Sequence, residues 1–228
     1  MNTSLENLNN KIIACKKCPR LFKFRNKIAK EKRKQYLNEV YWGKPITGYG
    51  DPNAQLLMIG LAPAAHGGNR TGRVFTGDQS SDFLFKCLYA AGLSNQPRSN
   101  HKDDGLILFN AYLTTALKCV PPADKPTSLE LKTCFSYFKK ENENLKNITT
   151  ILALGKIAFD ACLNFYKQDF SIQNKDYKFA HGSKFKLPDN KDLIGSYHPS
   201  PRNVNTGRIN FEKMVSLLKN VKKNIGRK

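Results

Sequence analysis

The sequence predicts an α/β fold in which a parallel sheet is covered by helices on both faces. Three observations predict it: short apolar runs that end in Gly or in polar loops, segments of helical spacing between those runs, and regular alternation of the two along the chain. The size suits one domain, since 228 residues, of which 40 % are hydrophobic, can bury a sizeable core.

Residues 1–40 read as an arm packed on that core: a short amphipathic start, Cys15-Lys16-Lys17-Cys18-Pro19-Arg20, then a basic helix-like stretch to about Asn38. Gln55–Gly60 is the first strand, apolar without alternation, as a strand buried on both faces must be. Ser81–Ala91 carries Phe83, Leu84, Cys87, Leu88 and Ala91 at helical spacing and stops at Gly92, a good residue just past a helix end. Leu106–Phe109 and Tyr112–Thr115 form the second strand region, and Thr127–Leu145 a helix with Thr127 or Ser128 as its cap. Thr150–Leu154 is the third strand, followed past Gly155 by the helix Lys156–Tyr166. Asp192–Tyr197 is the fourth, and a helix from about Thr206 to Lys223 closes the chain, with the basic tail Lys219–Lys228 as its frayed end. No repeat, linker or domain boundary interrupts residues 1–228.

Charge narrows the partner. Lys and Arg number 38 against 18 Asp and Glu, a formal charge of +20, which suits a polyanion such as nucleic acid. Basic residues in 11–34, at Arg70, Arg73, Arg202 and Arg208, and along 213–228 are candidates for one phosphate-facing surface. No run is apolar enough to span a membrane, and MNTSLENLNN lacks the charged and apolar regions of a secretion signal, so a cytoplasmic protein is expected. Six cysteines then read as thiols or metal ligands before disulfides.

In an open parallel sheet, ligands bind beyond the carboxyl ends of the strands. Three polar loops leave that edge: Gly60–Asp78, Lys118–Pro126 and Tyr197–Arg208. The first has five glycines between 60 and 77 but neither the Walker spacing nor GxGxxG, so a nucleotide-binding enzyme is a weak rival. Its ending, Phe75-Thr-Gly-Asp78, puts a stacking ring beside a carboxylate able to act on water. His198, in His-Pro-Ser-Pro201, can present an imidazole. His66 is a minor rim candidate and His181 reads as structural. Cys15 and Cys18 in a CxxC, with Cys119 and Cys134 separated by fourteen residues, suit a four-thiolate zinc or iron–sulfur site. Cys87 and Cys162 lie on apolar helix faces and belong to the core.

The loops carry a family likeness. Gly60-Leu-Ala-Pro-Ala with His66-Gly-Gly-Asn-Arg-Thr-Gly-Arg-Val-Phe-Thr-Gly-Asp78, Tyr112-Leu-Thr with Lys118-Cys-Val-Pro-Pro122, and Ser196-Tyr-His-Pro-Ser200 with Asn205-Thr-Gly-Arg208 closely resemble the family 5 (B-type) uracil-DNA glycosylases. The likeness runs from the CxxCPRL at Cys15–Leu21 to the last helix. It implies a three-layer α/β/α sandwich on a central four-stranded parallel sheet, a 4Fe–4S cluster on Cys15, Cys18, Cys119 and Cys134 with zinc the lesser candidate, and excision of uracil, with other deaminated bases reputed as further substrates. It further implies that Asp78 activates water, that His198 faces the base, that Phe75 stacks on it, and that Gly60, Leu61 and Ala62 line the pocket. Asp124 stands where the family usually has Asn and becomes a second catalytic candidate, and Thr115 stands where A-type relatives place Asn. Pro199–Asn203 is expected to fill the gap left in the duplex and Arg208 to meet phosphate. The expected partner is DNA bearing a deaminated base, bound by a monomer; no residue supports a sliding clamp. The rival of another class is a non-catalytic iron–sulfur or zinc module that binds nucleic acid.

Overall fold

The computed structural model describes residues 3–226. Its centre is a six-stranded sheet in the order β1-β3-β2-β4-β6-β5, formed by β1 (Tyr49–Gly50), β2 (Leu56–Gly60), β3 (Ala111–Thr115), β4 (Thr150–Leu154), β5 (Lys184–Lys186) and β6 (Asp192–Ser196). The inner four strands are mutually parallel, as expected. Two short antiparallel strands, β1 and β5, widen the expected four-stranded sheet to six. They span two and three residues. Such segments carry no periodicity to read, and the lysines of β5 mark an edge that resists further pairing. Lys184 and Lys186 pair with Asp192 at 3.1 and 2.7 Å.

Every residue of the four inner strands is buried. Leu57 and Ile59 face a core shared with α1 (Thr3–Ile13), α5 (Ser128–Asn144) and α6 (Lys156–Tyr166), while Leu56 and Met58 face the other core, built with α4 (Gln79–Ala90) and α8 (Phe211–Ile225). The hydrophobic effect thus acts on both faces of each strand, and three layers result. Cys162 sits in the first core and Cys87 in the second.

The N-terminal arm is helical, with α1 followed by α2 (Pro19–Glu31), and it is bonded to the body: Arg20 grips Glu130 of α5 at 2.8 and 2.7 Å. Thr127 caps α5 in a reciprocal box with Glu130. Leu106–Phe109 is not a strand; Leu108 alone bridges Ser94, and Asn110 at φ 51° breaks the chain before β3. The chain forms a short helix that was not expected, α7 (Pro201–Asn205), before the closing helix, which starts at Phe211 as α8 and not at about Thr206. Gly207 at φ 68° ends the first, and Asn210 starts the second by accepting the Lys213 N–H at 2.9 Å. Of the tail, Lys219–Ile225 is helical, and residues 227–228 lie outside the described residues.

From β2 the chain crosses to β3 on one side, then returns past β2 to β4 and β6 on the other. The crossovers diverge between β2 and β4, which opens a crevice at their carboxyl ends.

Candidate active site

That crevice holds a cleft of about 500 Å³ lined by Leu61, Ala62, Phe75, Asp78, Thr115, Asp124 and His198. Pro63, Ala64, Val74, Leu154 and Ala158 complete a mostly apolar wall into which few polar groups project. The carboxylate, the ring and the imidazole expected to meet are therefore on one cavity.

Each is positioned by a local device. Gly60 ends β2, and a β-carbon there would stand 2.5 Å from Cζ of Phe75, so only glycine lets that ring lie against the strand end. Phe75 itself adopts φ 49°, sparsely populated for an aromatic residue. Two arginines hold the loop that imposes this. Arg73, 3 % exposed, pairs with Asp104 through both terminal nitrogens at 2.8 and 2.7 Å and bonds Thr76 and Ser99 at 2.9 and 2.8 Å. Burial pushes the Asp104 carboxyl up, but these bonds and the Asn100 and Leu106 N–H groups outweigh it and bring it to about 2. Arg70 donates to the carbonyls of His66 and Gly77, both at 2.7 Å, and lies over Tyr36. Both arginines were expected to face phosphate; both are internal braces instead.

Asp78 caps α4. Its Oδ1 accepts the Ser81 N–H at 2.9 Å, and its own N–H donates to Ser81 Oγ at 3.0 Å. Oδ2 lies where a β-carbon on Gly67 would stand, 2.1 Å away, so that glycine makes room for the carboxylate. Burial raises the Asp78 carboxyl above the usual aspartate value; N–H groups of Ser81 and Ser80 pull the other way. The result is a carboxylate more basic than an exposed one.

His198 follows β6. Asn203 Nδ2 donates to its carbonyl at 2.9 Å, which fixes the turn into α7. Burial lowers the imidazole below its ordinary value, and the charge of Asp124 partly restores it. Asp124 reaches the rim from an exposed turn in which Ala123 and Asp124 both have positive φ, 51° and 55°. Gly155, at φ 102°, brings the end of β4 against His198; a β-carbon there would lie 3.3 Å from the histidine Cβ.

The cleft is also lined by Gly155, Lys156 and Ile157, at the exit of β4 and the start of α6, and by Ser80, none of which was expected at the site, and by Ser200 of the segment expected to enter the duplex. The edge rule applied to the third strand, as to the other three, finds the first three. Asn203 and Arg208 do not line the cleft: Asn203 braces the histidine turn, and Arg208 is exposed with its guanidinium 5.8 Å from the Tyr197 ring. His66 is not at the rim either; its Nδ1 bonds the Tyr41 hydroxyl at 2.9 Å. His181 accepts the Tyr197 N–H at 3.3 Å, the structural part expected of it.

The four expected thiols converge elsewhere. Cys15 follows α1, Cys18 caps α2, Cys119 follows β3 and Cys134 lies on α5, yet all line one small cavity with Arg25 and Tyr137. Burial pushes the Cys119 thiol up to about 12 and Cys134 to about 11, and the neighbouring thiols add to both shifts. The Lys118 N–H points at Cys134 Sγ, 3.2 Å away. The Lys118 side chain turns inward to Glu141 and Thr114, tying β3 to α5. Among the described residues no group of three or more His, Cys, Asp or Glu side chains is arranged so that it could hold a metal ion. The donor set nonetheless fits a thiolate-held group, since four soft ligands from three segments share one cavity, and such buried thiols lose their protons when a positively charged group stabilises the thiolates.

Among the described residues no helix is long and apolar enough to cross a membrane. The family model of the uracil DNA glycosylase superfamily matches residues 47–222. A type-5 uracil-DNA glycosylase of Thermus thermophilus is 42 % identical over 215 residues, 94 % of this chain and 95 % of its own. One of Pyrobaculum aerophilum is 41 % identical over 210 residues, covering 92 % and 88 %. A type-4 enzyme of Archaeoglobus fulgidus is more distant, 25 % identical over 203 residues, covering 86 % and 82 %.

Proposed function

Because this chain belongs to the uracil DNA glycosylase superfamily, we propose that the cleft between β2 and β4 receives a uracil flipped out of DNA and that Asp78, His198 and Phe75 act on it there. The chain is a DNA repair glycosylase that hydrolyses the N-glycosidic bond of uracil and leaves an abasic site. The observation that carries the assignment of the site is the meeting of a buried carboxylate, an imidazole and an aromatic ring, 123 residues apart in sequence at the extremes, on one apolar cleft.

Cleavage of the C1′–N1 bond leaves positive charge on the sugar and a full electron pair on the base, and an enzyme must stabilise both. Flipping costs a few kcal/mol of stacking, and stacking on Phe75 returns about 1–3 kcal/mol. Asp78 orients a water molecule, takes its proton as the oxygen bonds C1′, and offsets the oxocarbenium charge. His198, neutral at pH 7 because burial lowers its pKa, donates an N–H bond to the base oxygen that becomes anionic. Asp124 supports the water or the imidazole from the rim. Thr115 and the backbone of Gly60, Leu61 and Ala62 border the base. Pro199–Asn203, whose end is the start of α7, enters the duplex, and exposed Arg202 and Arg208 meet phosphates nearby.

Cys15, Cys18, Cys119 and Cys134 would hold a 4Fe–4S cluster. When bound, it supplies a structural cross-link that joins the arm to the loop after β3 and to α5. The protein works in the cytoplasm as a monomer, with the arm part of the same domain, and its substrates extend to other deaminated bases.

The test is alkaline strand scission of an oligonucleotide carrying one uracil, hypoxanthine or xanthine. Abasic product from the uracil strand is expected; salt-sensitive DNA binding without product would revive the non-catalytic reading. In the same assay His198→Ala is expected to lose about 10²–10³ in single-turnover rate, the loss typical of one oxyanion donor. Gly67→Ala is expected to lose about 10²-fold with DNA affinity retained, because its β-carbon displaces Asp78 Oδ2. A native rate in that variant would show that the position of Oδ2 is unimportant.

The pH dependence follows from Asp78. Its ionised form is the active one, so kcat/KM is present above its pKa and lost as pH falls through it. Since burial raises that pKa, the acid limb should lie above the usual aspartate range. A limb at or below an ordinary aspartate value would contradict this.

A further inference from the structure

Arg25 is a buried cation of the cysteine cavity, which Lys16, Lys17 and Lys118 also line. It sits in the middle of α2, is 4 % exposed, and lines the cavity together with the four thiols. Its two terminal nitrogens are engaged: Nη1 donates to the Gly43 carbonyl, and Nη2 to the Cys15 carbonyl at 3.3 Å. The guanidinium carbon stands 4.8 Å from the centre of the Phe22 ring, which fixes the plane of the group. Nε is different. It is fully buried and has no hydrogen-bond partner among the described residues.

A buried N–H without an acceptor costs about 1–3 kcal/mol, and proteins rarely leave a charged group in that state. Arginine in particular offers its donors in a fixed fork, so Nε cannot rotate away to find another acceptor while the other two nitrogens are held. A sulfur acceptor in the cavity that Arg25 lines would satisfy it. The proton-bearing thiols around it are poor acceptors, whereas thiolates and inorganic sulfide are good ones.

We propose that Arg25 Nε–H donates a hydrogen bond to a sulfur of the iron–sulfur group held by Cys15, Cys18, Cys119 and Cys134, and that this bond sets the electronic state of the group. The inference rests on the cluster reading above and adds a residue that is not itself a ligand. The Lys118 N–H, aimed at Cys134 Sγ, is a second donor from the body of the protein. Together they place positive charge and donors on two sides of a group whose four thiolates carry negative charge. Such donors favour the more negative, reduced state and raise the reduction potential. Arg25 is thus a positioning and tuning residue, and the arm contributes to the group's properties as well as two of its ligands.

Iron and sulfide analysis of the purified native chain tests the underlying reading by itself: about four of each per chain is expected, and iron-free protein with stoichiometric zinc would overturn that reading. With the cluster present, Arg25→Lys keeps the charge and removes Nε. Protein-film voltammetry of this variant, at native iron content, is expected to give a reduction potential more negative than that of the native protein. An unchanged potential would overturn the proposal, whereas a purely structural arginine would lower the melting temperature alone. The native protein supplies a measurement independent of how the variant folds. Pulsed electron paramagnetic resonance of the reduced cluster, in protein labelled with ¹⁵N at arginine Nε, is expected to show a coupled ¹⁵N; no coupling would overturn the proposal.

Discussion

Asp78→Asn should bind uracil-containing DNA as the native protein does and release uracil about 10²–10⁴-fold more slowly, the range for loss of a positioned general base. Asn is the informative substitution because Asp78 has two structural surroundings. Its Oδ1 caps α4 on the Ser81 N–H, and its Oδ2 occupies the space that Gly67 leaves open. An amide oxygen caps a helix about as well as a carboxylate, so the fold is preserved while the proton acceptor is lost. Asp78→Ala would remove both, at about 1 kcal/mol of stability, and would confuse an uncapped helix with lost chemistry. Single-turnover rates with binding by fluorescence anisotropy check the prediction. A near-native rate in Asp78→Asn would remove Asp78 from the mechanism.

Arg73→Ala is expected to destabilise the fold by about 3–5 kcal/mol, the range for breaking a buried ion pair from one side. It leaves Asp104 without its partner at a side-chain exposure of 7 %. It also strips donors from Ser99 and Thr76, which lies beside Phe75 and two residues before Asp78. Denaturant unfolding should record the loss, and the surviving folded fraction should show reduced uracil release because the loop that holds Phe75 at positive φ is no longer braced. The same pair gives an acid sensitivity. Asp104 has a folded-state value of about 2, below its ordinary one, so its contribution is full above the ordinary carboxylate value and is lost as pH falls toward 2. Unchanged unfolding in Arg73→Ala would mean that the pair carries no net stability.

The contrast between Arg73 and the strands explains what sequence can and cannot disclose here. The four parallel strands were legible because each is buried on both faces and must be apolar throughout, and the edge rule then brought Asp78, Phe75 and His198 to one end of the sheet without coordinates. Charge is harder to read. Arg73 and Asp104 lie 31 residues apart, and no local pattern distinguishes an arginine bound for a buried carboxylate from one bound for phosphate. Gly155 was visible as the end of a strand, but its close approach to His198 depends on how β4 and β6 lie side by side. The start of α8 had a local signal, the capping residue Asn210, four residues past the expected start at Thr206.

A crystal structure of the native protein with duplex DNA carrying 2′-fluoro-arabino-uridine, whose glycosidic bond resists hydrolysis, tests directly whether this cleft receives the base. The expected result is an extrahelical uracil stacked on Phe75, with an imidazole nitrogen of His198 within hydrogen-bond reach of a base oxygen and the Asp78 carboxylate facing C1′ across one water molecule. A uracil bound outside this cleft, or seated in it with Asp78 turned away from the sugar, would contradict the account.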